Sequence, residues 1–449
     1  MCEPDKSPNI VFVFADQMSA NHMRPDGNED VITPTMDRMA EEGVMCTQHI
    51  SNCPICSPNR ATMLTGTYAT THRLLFNDHQ VRTDLPSLAT LASRNGYRTG
   101  YIGKWHMDGA PRDAFIPPER RLDFNGFWAA YNCHHRYFEP KYYLGDSPEL
   151  IRRDGYEPEV QTDLALDFLD RQAESADPFV LVVSFGPPHN PYQEVPDKYR
   201  ERYDADEISF RPNCEEIPRE YLDPAWEQGK STRDFYALVT SLDKMLGSML
   251  TRLEELGMDE NTIVVFTSDH GDMLWSHGLL YKCVPYDESI RVPLLVRYPV
   301  GLPAGHRVKA PVASVDLLPT LAGLAGWSCP DSVEGTNYGE HLKDIPGAAE
   351  PDAALTGIYH RYVYRDNFPV PEWRGLRTDR YTYTETVDRT PWLVFDNEED
   401  PYQMHNLADS AEHEKILSEL SSRLAARLDA IGDPFLPKEQ MRERFGVTK

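Results

Sequence analysis

Residues 56–60 combine a thiol, a proline and an arginine at a spacing that suits nucleophilic chemistry. They read Cys56-Ser-Pro58-Asn-Arg60 and are followed by Ala-Thr-Met-Leu-Thr-Gly66. Pro58 suits the start of a helix, so Cys56 lies at a helix N-terminus, where partial positive charge favours an anion. Arg60 lies four residues on, about one turn away on the same face, and can place a fixed charge beside the thiol. The segment therefore predicts a position that favours an anionic group at residue 56.

A second interpretation of the same segment is a redox or zinc motif. Cys53-Pro-Ile-Cys56 is a C-x-x-C pair, which can be a redox couple or half of a zinc site. A structural zinc site needs a second pair of ligands. No second C-x-x-C occurs among the other cysteines, which are Cys2, Cys46, Cys133, Cys214, Cys283 and Cys329. We expect Cys53 to be a bystander, while a redox protein that keeps Cys56 as a thiol stays open as an alternative.

The elements that must position these residues are predicted from the apolar pattern. Short apolar runs typical of buried strands cover residues 9–15, 99–103, 179–185 and 262–267. Helical patterns separate them, and the clearest runs from Ser231 to Leu256 with Gly257 as its stop. Strands that alternate with helices predict an α/β fold, in which a large, mostly parallel sheet is covered by helices on both faces.

Polar residues follow each of the four predicted strands. They are Asp16 and Gln17, Lys104 and His106, His189, and Asp269 and His270. In open α/β sheets, ligand sites lie beyond the carboxyl ends of the strands. Four separate segments of the chain therefore place polar groups at the same edge of the sheet. This inference does not depend on recognising a family.

Length and composition predict one large domain and a smaller one. The chain has 449 residues. From about residue 350, strands rich in aromatic residues and then an amphipathic helix ending before Gly432 predict a small α+β domain. We therefore expect a catalytic domain over residues 1–350 and a C-terminal domain, an antiparallel sheet with a helix, over residues 351–449.

The charge of the chain restricts its partners. The formal net charge is −26, which argues against nonspecific binding to nucleic acid or to acidic membranes. No apolar run approaches the length of a membrane span, and the N-terminus has no pattern of a signal peptide. We expect a cytoplasmic protein with reduced cysteines, or a periplasmic one if a leader has been removed. An anionic substrate would need locally concentrated cations.

Several motifs occur in a fixed order along the chain. They are the Cys56–Gly66 segment, Gly103-Lys-Trp-His106, Ser184-Phe-Gly-Pro-Pro-His189, Ser268-Asp-His-Gly-Asp272, and the stretch from His277-Gly through Lys282 to Glu288-Ser-Ile-Arg-Val-Pro293. Together they resemble the motifs of the type I, formylglycine-dependent sulfatases of the alkaline phosphatase superfamily. The resemblance covers nearly the whole chain and is highly specific. It implies an alkaline-phosphatase/sulfatase-like fold and the hydrolysis of a sulfate monoester.

The resemblance also implies a set of catalytic residues. A formylglycine-generating enzyme would oxidise Cys56 to formylglycine, whose hydrated diol attacks sulfur and forms a covalent sulfo-enzyme. Arg60, Lys104 and Lys282 would bind the sulfate oxygens. His106 would take a proton from the second diol hydroxyl, and His189 would protonate the leaving alcohol.

The same resemblance implies one divalent cation. Its ligands would be Asp16, Gln17, Asp269, His270 and the formylglycine made from Cys56. Oxygen-rich ligation points first to Ca²⁺, with Mg²⁺ as an alternative, and the histidine makes Mn²⁺ a third candidate. Gln17 departs from the pattern of most family members, which carry a second aspartate there. As the resemblance implies, an Asp-Gln opening with a late Asp-His occurs in the choline-sulfate and phosphonate monoester hydrolase branches and in some carbohydrate sulfatases.

We therefore expect a sulfatase whose substrate is a sulfated carbohydrate or small alcohol. The alternative is a phosphonate monoester or phosphodiester hydrolase, but that branch carries uncharged hydroxyl residues in place of Lys104 and His106. The expected partners are a sulfated small molecule or glycan and the maturation enzyme, without nucleic acid or membrane; the oligomeric state is not predicted. Three polar clusters, at residues 77–79, 134–136 and 360–361, could bind sugar hydroxyls or a uronate but are more often ordinary surface.

Overall fold

The computed structural model describes residues 7–215, 217, 227–364 and 368–447. In this part of the chain the strands are β1 Asn9–Asp16, β2 Val44–Cys46, β3 His49–Ile50, β4 Arg98–Lys104, β5 Phe127–Tyr131, β6 Lys141–Leu144, β7 Leu150–Arg152, β8 Phe179–Pro188, β9 Thr262–Ser268, β10 Arg291–Val292, β11 Leu294–Arg297, β12 His306–Val308, β13 Val312–Ala313, β14 Ala353–Ile358, β15 Tyr362–Tyr364, β16 Phe368–Val370, β17 Trp373–Thr378, β18 Tyr381–Thr386 and β19 Pro391–Asp396.

The helices separate these strands along the chain. They are α1 Pro34–Glu42, α2 Cys56–Thr65, α3 Ala69–His72, α4 Leu88–Arg94, α5 Glu157–Ala173, α6 Asp197–Arg200, α7 Gln228–Glu255, α8 Asp287–Ile290, α9 Leu317–Leu324, α10 Gly339–Leu342, α11 Glu414–Ala430 and α12 Lys438–Phe445. The long helix predicted over residues 231–256 is confirmed as α7, which begins three residues earlier. None of the described helices has the length and the apolar character that crossing a membrane would require.

A ten-stranded sheet forms the centre of the molecule, in the order β12-β2-β11-β9-β1-β8-β4-β5-β6-β7. The four strands predicted from apolar runs are β1, β4, β8 and β9; they are adjacent and parallel, as expected. Towards the edges the direction changes, because β11, β6 and β7 pair antiparallel with their neighbours. The prediction of a mostly parallel sheet is therefore confirmed for the centre, and the whole sheet is mixed.

The central sheet is covered on both faces, which explains the continuous apolar runs. Side chains of β1 alternate between two cores: Val11 and Val13 face α1, α5 and α7, whereas Ile10 and Phe12 face α2, α4 and α9. A strand buried on both faces has no solvent-exposed side and so needs no polar alternation. The helices on the two faces leave the carboxyl ends of the strands as the place where polar groups can gather.

The C-terminal part forms a smaller antiparallel sheet in the order β14-β17-β18-β19. Helix α11 packs on it through Leu420, Leu424 and Leu428, which contact Leu376 and Tyr383 of the sheet. The antiparallel strands and the helix were both predicted. The aromatic-rich stretch from Trp373 to Tyr383 contains two strands, because the chain turns between β17 and β18.

Candidate active site

The predicted site residues follow the carboxyl ends of four neighbouring strands. Asp16 ends β1, Lys104 ends β4 with His106 just beyond it, His189 follows β8, and Asp269 and His270 follow β9. Helix α2 adds Cys56 at its first residue and Arg60 one turn later. The helix begins at Cys56, so Pro58 occupies its third position. A proline is tolerated there because the first N–H groups of a helix have no partner within the helix.

Four buried side chains form a cluster suited to a cation. One potential ligand atom from each of Asp16, Cys56, Asp269 and His270 lies within 4.8 Å of the others. The Cys56 Sγ lies 3.2 Å from His270 Nε2 and 3.6 Å from Asp16 Oδ1. His270 Nδ1 lies 3.0 Å from the carbonyl oxygen of Gly271. If Nδ1 donates that bond, Nε2 keeps its lone pair for the cluster.

The charges of this cluster support the same interpretation. Burial and the neighbouring Asp16 carboxylate raise the pKa of Asp269. Two buried carboxylates in one small space repel each other, and a bound cation relieves that repulsion. Carboxylate oxygens with one imidazole suit a hard or intermediate divalent ion. The residues present therefore fit the predicted metal.

Gln17 lies beside the cluster, but its side chain has other partners. Its backbone N–H donates to Asp269 Oδ1 at 3.1 Å, and its Nε2 donates to Asp272 Oδ2 at 2.6 Å. Its Oε1 accepts a hydrogen bond from Lys282 Nζ at 2.5 Å. Asp272 thus fixes which way the amide faces and leaves Oε1 as the acceptor. Ligation of a metal by Gln17 stays a prediction.

Arg60 joins the two carboxylates of the cluster. It is fully buried; its Nε donates to Asp269 Oδ2 at 2.7 Å and its Nη2 to Asp16 Oδ2 at 3.1 Å. Its Nη1 donates to Ser184 Oγ at 2.7 Å and to the carbonyl oxygen of Lys104 at 3.0 Å. The planar guanidinium thus holds the ends of β1, β4, β8 and β9 in one arrangement.

The two predicted lysines both reach the cluster. Lys104 Nζ is paired with Asp16, and Lys282 Nζ lies 3.5 Å from Cys56 Sγ. Burial and Asp16 would raise the pKa of the Cys56 thiol, but Lys282, Lys104 and His270 outweigh them and hold that pKa well below its ordinary value. In an otherwise acidic protein, this is the local concentration of cations that an anionic substrate requires.

His106 lies next to an acidic residue that the sequence did not assign to the site. Its backbone N–H donates to the carbonyl oxygen of Asn132 at 2.7 Å, and its Nε2 lies 3.8 Å from Asp78 Oδ1. Burial alone would lower the pKa of His106, but Cys133 and Asp78 outweigh it and raise the pKa to about 10. A carboxylate beside an imidazole stabilises the charged ring that forms when the ring takes up a proton.

His189 lies in a different electrostatic environment. Its ring stacks on His135 with centroids 3.8 Å apart, and its Nδ1 lies 2.7 Å from the carbonyl oxygen of Asn190. Burial and the nearby Lys282 hold the pKa of His189 well below its ordinary value. The surroundings therefore push the pKa values of the two histidines apart: they favour the charged form of His106 and the neutral form of His189, the reverse of the starting protonation that the predicted base and acid roles require.

Four positioning residues were missed from the sequence: Asp78, His135, Ser184 and Asp272. Ser184 and Asp272 belong to the motifs that carry the family resemblance, and this could have indicated that they lie at the site. Asp272 accepts hydrogen bonds from Gln17 and from the hydroxyl of Tyr192 at 2.6 Å, and from the backbone of Leu274 and Tyr281. Asp78 and His135 lie in polar clusters that the sequence could not distinguish from surface.

The C-x-x-C interpretation gains no support from the geometry. Cys53 and Cys56 are both free thiols. Cys53 packs in an apolar core with Cys283 and Trp373, and burial raises its pKa well above the ordinary value. Cys56 instead belongs to the charged cluster. The two thiols therefore lie in opposite environments.

Comparison with known proteins identifies the family. The model of the sulfatase family matches residues 8–327, and that of the C-terminal region of N-sulphoglucosamine sulphohydrolase matches residues 275–429. An ulvan-active sulfatase of Formosa agariphila is 35% identical over 99% of this chain and 86% of its own length. An endo-4-O-sulfatase of Bacteroides thetaiotaomicron is 28% identical over 99% of this chain and 96% of its own length.

A solved structure agrees with these sequence matches. The yidJ protein of Bacteroides fragilis superposes with a TM-score of 0.86 at 29% identity, covering 97% of this chain and 98% of that one. The chain belongs to the sulfatase family, and it is a sulfuric ester hydrolase. The family and the fold expected from the motifs are confirmed.

Proposed function

We propose that this sulfatase hydrolyses a sulfate ester on a carbohydrate, with formylglycine made from Cys56 as its nucleophile. The observation that supports this most directly is the position of Cys56. Its sulfur lies at the first residue of α2, 3.5 Å from Lys282 Nζ and among the buried ligand atoms of Asp16, Asp269 and His270. A nucleophile, cations for an oxyanion and a candidate cation site thus meet at one point.

The residues that would hold the metal are Asp16, Asp269, His270, Gln17 and the matured residue 56. When bound, a divalent cation would neutralise charge at the reacting centre and favour the deprotonated form of the nucleophile. We propose Ca²⁺, because all but one of these ligands offer oxygen. The side chains themselves do the remaining work of binding the sulfate and moving protons.

We propose the following roles for them. Lys104, Lys282 and Arg60 hold the sulfate while one diol oxygen forms a bond to sulfur and the bond from sulfur to the alcohol oxygen breaks. His189 gives a proton to that leaving alcohol. His106 then takes a proton from the second diol hydroxyl; the carbonyl forms, the sulfate leaves, and water restores the diol. The negative charge of the bound sulfate would raise the pKa of His189 towards the value that an acid needs.

The relatives support a carbohydrate substrate. One relative is named as an ulvan-active sulfatase and another as an endo-4-O-sulfatase, and both align over nearly the whole of this chain. Phosphonate monoester hydrolysis is the weaker alternative, because Lys104 is in place and paired with Asp16 inside the cluster. A maturation enzyme that oxidises Cys56 is a necessary partner under this proposal.

The first experiment is the mass of the peptide that carries Cys56, after co-expression with a formylglycine-generating enzyme. An aldehyde mass, together with faster turnover of 4-nitrophenyl sulfate than of a phenylphosphonate ester, would support the proposal. An unmodified thiol, with the partner active on a control protein, would remove the mechanism. Faster phosphonate turnover would favour the alternative.

Removal of the metal should affect both activity and stability. After chelation we expect turnover to fall by about 10³-fold or more, because the nucleophile loses its electrostatic support. The melting temperature should also fall, since a ligand at about 100 times its dissociation constant stabilises the folded state by about 2.7 kcal/mol. Both should return with Ca²⁺ more completely than with Mg²⁺. Full activity in protein shown by elemental analysis to contain no metal would contradict this prediction.

The dependence of the rate on pH should report the charge of His106. A base must be neutral to accept a proton, and a raised pKa moves the rising limb of the pH profile to higher pH. Asp78→Asn removes one cause of that raised pKa, so the rising limb should move to lower pH. Asp84→Asn is a matched control, because Asp84 also pairs with an arginine, Arg82, on the surface. An unchanged profile for Asp78→Asn would argue against His106 as the base.

A further inference from the structure

Two polar clusters that are distant in sequence meet at the ring of Phe76. The ring of His79 packs edge-on against Phe76 with centroids 4.1 Å apart, and the ring of His360 lies 5.5 Å away. From α12, Lys438 Nζ lies 5.2 Å and Arg442 Cζ 5.9 Å from the centroid of the same ring. Four basic residues, called here the basic cluster, thus surround one half-buried phenyl ring.

The loop that carries part of the basic cluster also contacts residues of the active site. Asn77, the residue after Phe76, accepts a hydrogen bond through Oδ1 from the N–H of Ser57 at 3.0 Å, and Ser57 follows Cys56. The next residue, Asp78, lies beside His106. The loop that carries Phe76 and His79 therefore forms an edge of the active site.

The acidic neighbours of the basic cluster pair with only part of its donors. Asp78 already pairs with Arg112, with N–O distances of 2.6 and 2.7 Å. Glu439 lies 3.4 Å from Arg442 but is largely exposed, and Glu372 bonds the backbone of Lys438. Arg442 Nε is buried and has no hydrogen-bond partner among the described residues.

Burial is the main cause that favours the neutral form of both histidines, so the positive charge of the basic cluster comes from Lys438 and Arg442. Burial and then Arg442 lower the pKa of His79, and burial and Lys438 lower that of His360 to about 4. The buried Arg442 Nε, which has no partner among the described residues, is costly unless an acceptor such as an anion binds it. In a chain of net charge −26, such a concentration beside a nucleophile needs an explanation.

We propose that the basic cluster binds a second anionic group of the substrate, an oxyanion on the sugar next to the reacting sulfate. This inference rests on the proposed function, since it assigns a subsite to the same reaction. A uronate carboxylate and a second sulfate ester share the required chemistry. Arg442 and Lys438 supply the donors, and His79 and Phe76 form the wall against which the sugar lies.

The experiment uses disaccharides of a uronic acid and an N-acetylhexosamine sulfated at C4 or at C6. Hydrolysis of either one tests the proposed function alone. Each active disaccharide is then compared with two altered forms. In one the carboxylate is reduced to an alcohol, and in the other a sulfate ester replaces the carboxylate. The measured quantity is the ratio of kcat/KM between the charged and the reduced forms.

We expect wild-type protein to prefer a charged form. The double variant Lys438→Gln/Arg442→Gln should lose about tenfold or more of that preference, mainly through a change in KM. Arg442→Lys, which keeps the charge, should retain most of it. Arg444→Gln is the matched control, because Arg444 is exposed on the same helix. Preference for the carboxylate or for the second sulfate identifies the group that binds.

Equal turnover of the charged and reduced forms by wild-type protein would overturn the inference while leaving the proposed function intact. So would a double variant that loses activity on both forms in the same proportion, since that would indicate a purely structural role for α12. Failure to hydrolyse any sulfated disaccharide would instead count against the carbohydrate substrate itself.

Discussion

Replacing Cys56 with alanine is expected to lower turnover of any sulfate ester by about 10⁴-fold or more, because loss of a covalent nucleophile removes the whole reaction path. The fold should survive. The Cys56 side chain packs in a charged cluster and not in one of the apolar cores, so its removal creates no apolar cavity. Circular dichroism and the melting temperature would check the fold, and kcat/KM for 4-nitrophenyl sulfate would measure the effect.

The serine variant separates the two halves of the reaction. A serine hydroxyl can accept the sulfuryl group, but it has no second hydroxyl to collapse and expel sulfate. Cys56→Ser should therefore stop after at most one turnover and carry a stable sulfate ester, visible as a mass increase of the peptide. Turnover of the serine variant at the wild-type rate would exclude the diol mechanism.

Cys53 provides the matched control for both variants. It is a buried free cysteine three residues before Cys56, outside the charged cluster. Cys53→Ala should keep the activity, with only the loss of stability expected of a small core truncation. If Cys53→Ala and Cys56→Ala were equally inactive, the redox interpretation of the C-x-x-C pair would return.

Replacing Arg60 with methionine is expected to cost stability as well as activity. Arg60 pairs with Asp16 and Asp269, and all three side chains are fully buried. Removing one partner of a buried ion pair leaves uncompensated charge and costs about 3–5 kcal/mol. Methionine keeps much of the volume, so the loss reports charge more than packing. Denaturant unfolding of chelated protein would measure it.

A bound metal should reduce the loss of stability that Arg60→Met causes. Without Arg60, the carboxylates of Asp16 and Asp269 lose the guanidinium that joins them and keep Lys104 on Asp16 and the His270 ring, whose Nε2 lies 3.5 Å from both. A divalent ion should therefore restore more stability to the variant than to wild-type protein. Arg121→Met is the control: Arg121 is also buried, but its carboxylate partner Asp146 is 78% exposed and can be solvated by water. The control should lose stability equally with and without Ca²⁺. An Arg60→Met variant that behaved in the same way would contradict the assignment of the cation site.

The sequence predicted those features of the fold that depend on a local pattern of residues. Continuous apolar runs located β1, β4, β8 and β9, because a strand buried on both faces cannot carry polar side chains. Residues at the ends of those runs, such as Asp16 and Asp269, were then bound to meet, since parallel neighbours end at the same edge. The motif resemblance added Cys56, Arg60, Lys104 and Lys282, all of which the structure brings together.

What the sequence could not predict depends on contacts between distant segments. The antiparallel strands β6, β7 and β11, which lie outside the parallel centre of the sheet, have no pattern of their own that fixes their direction. Asp272 orients Gln17 across 255 positions of sequence, and Phe76 meets α12 more than three hundred and fifty positions away. No local periodicity encodes such a meeting; it follows only from the completed packing.

The burial of Cys56 determines when its conversion can happen. The residue exposes 1% of its surface, and its sulfur contacts Asp16, His270 and Lys282. A macromolecular catalyst cannot reach a sulfur atom enclosed in this way in the folded protein. The proposed oxidation must therefore precede folding, while the segment around residues 56–60 is still an extended chain. A molecule that folds too early would remain a thiol, so synthesis rate and supply of the maturation enzyme would set the active fraction of the population.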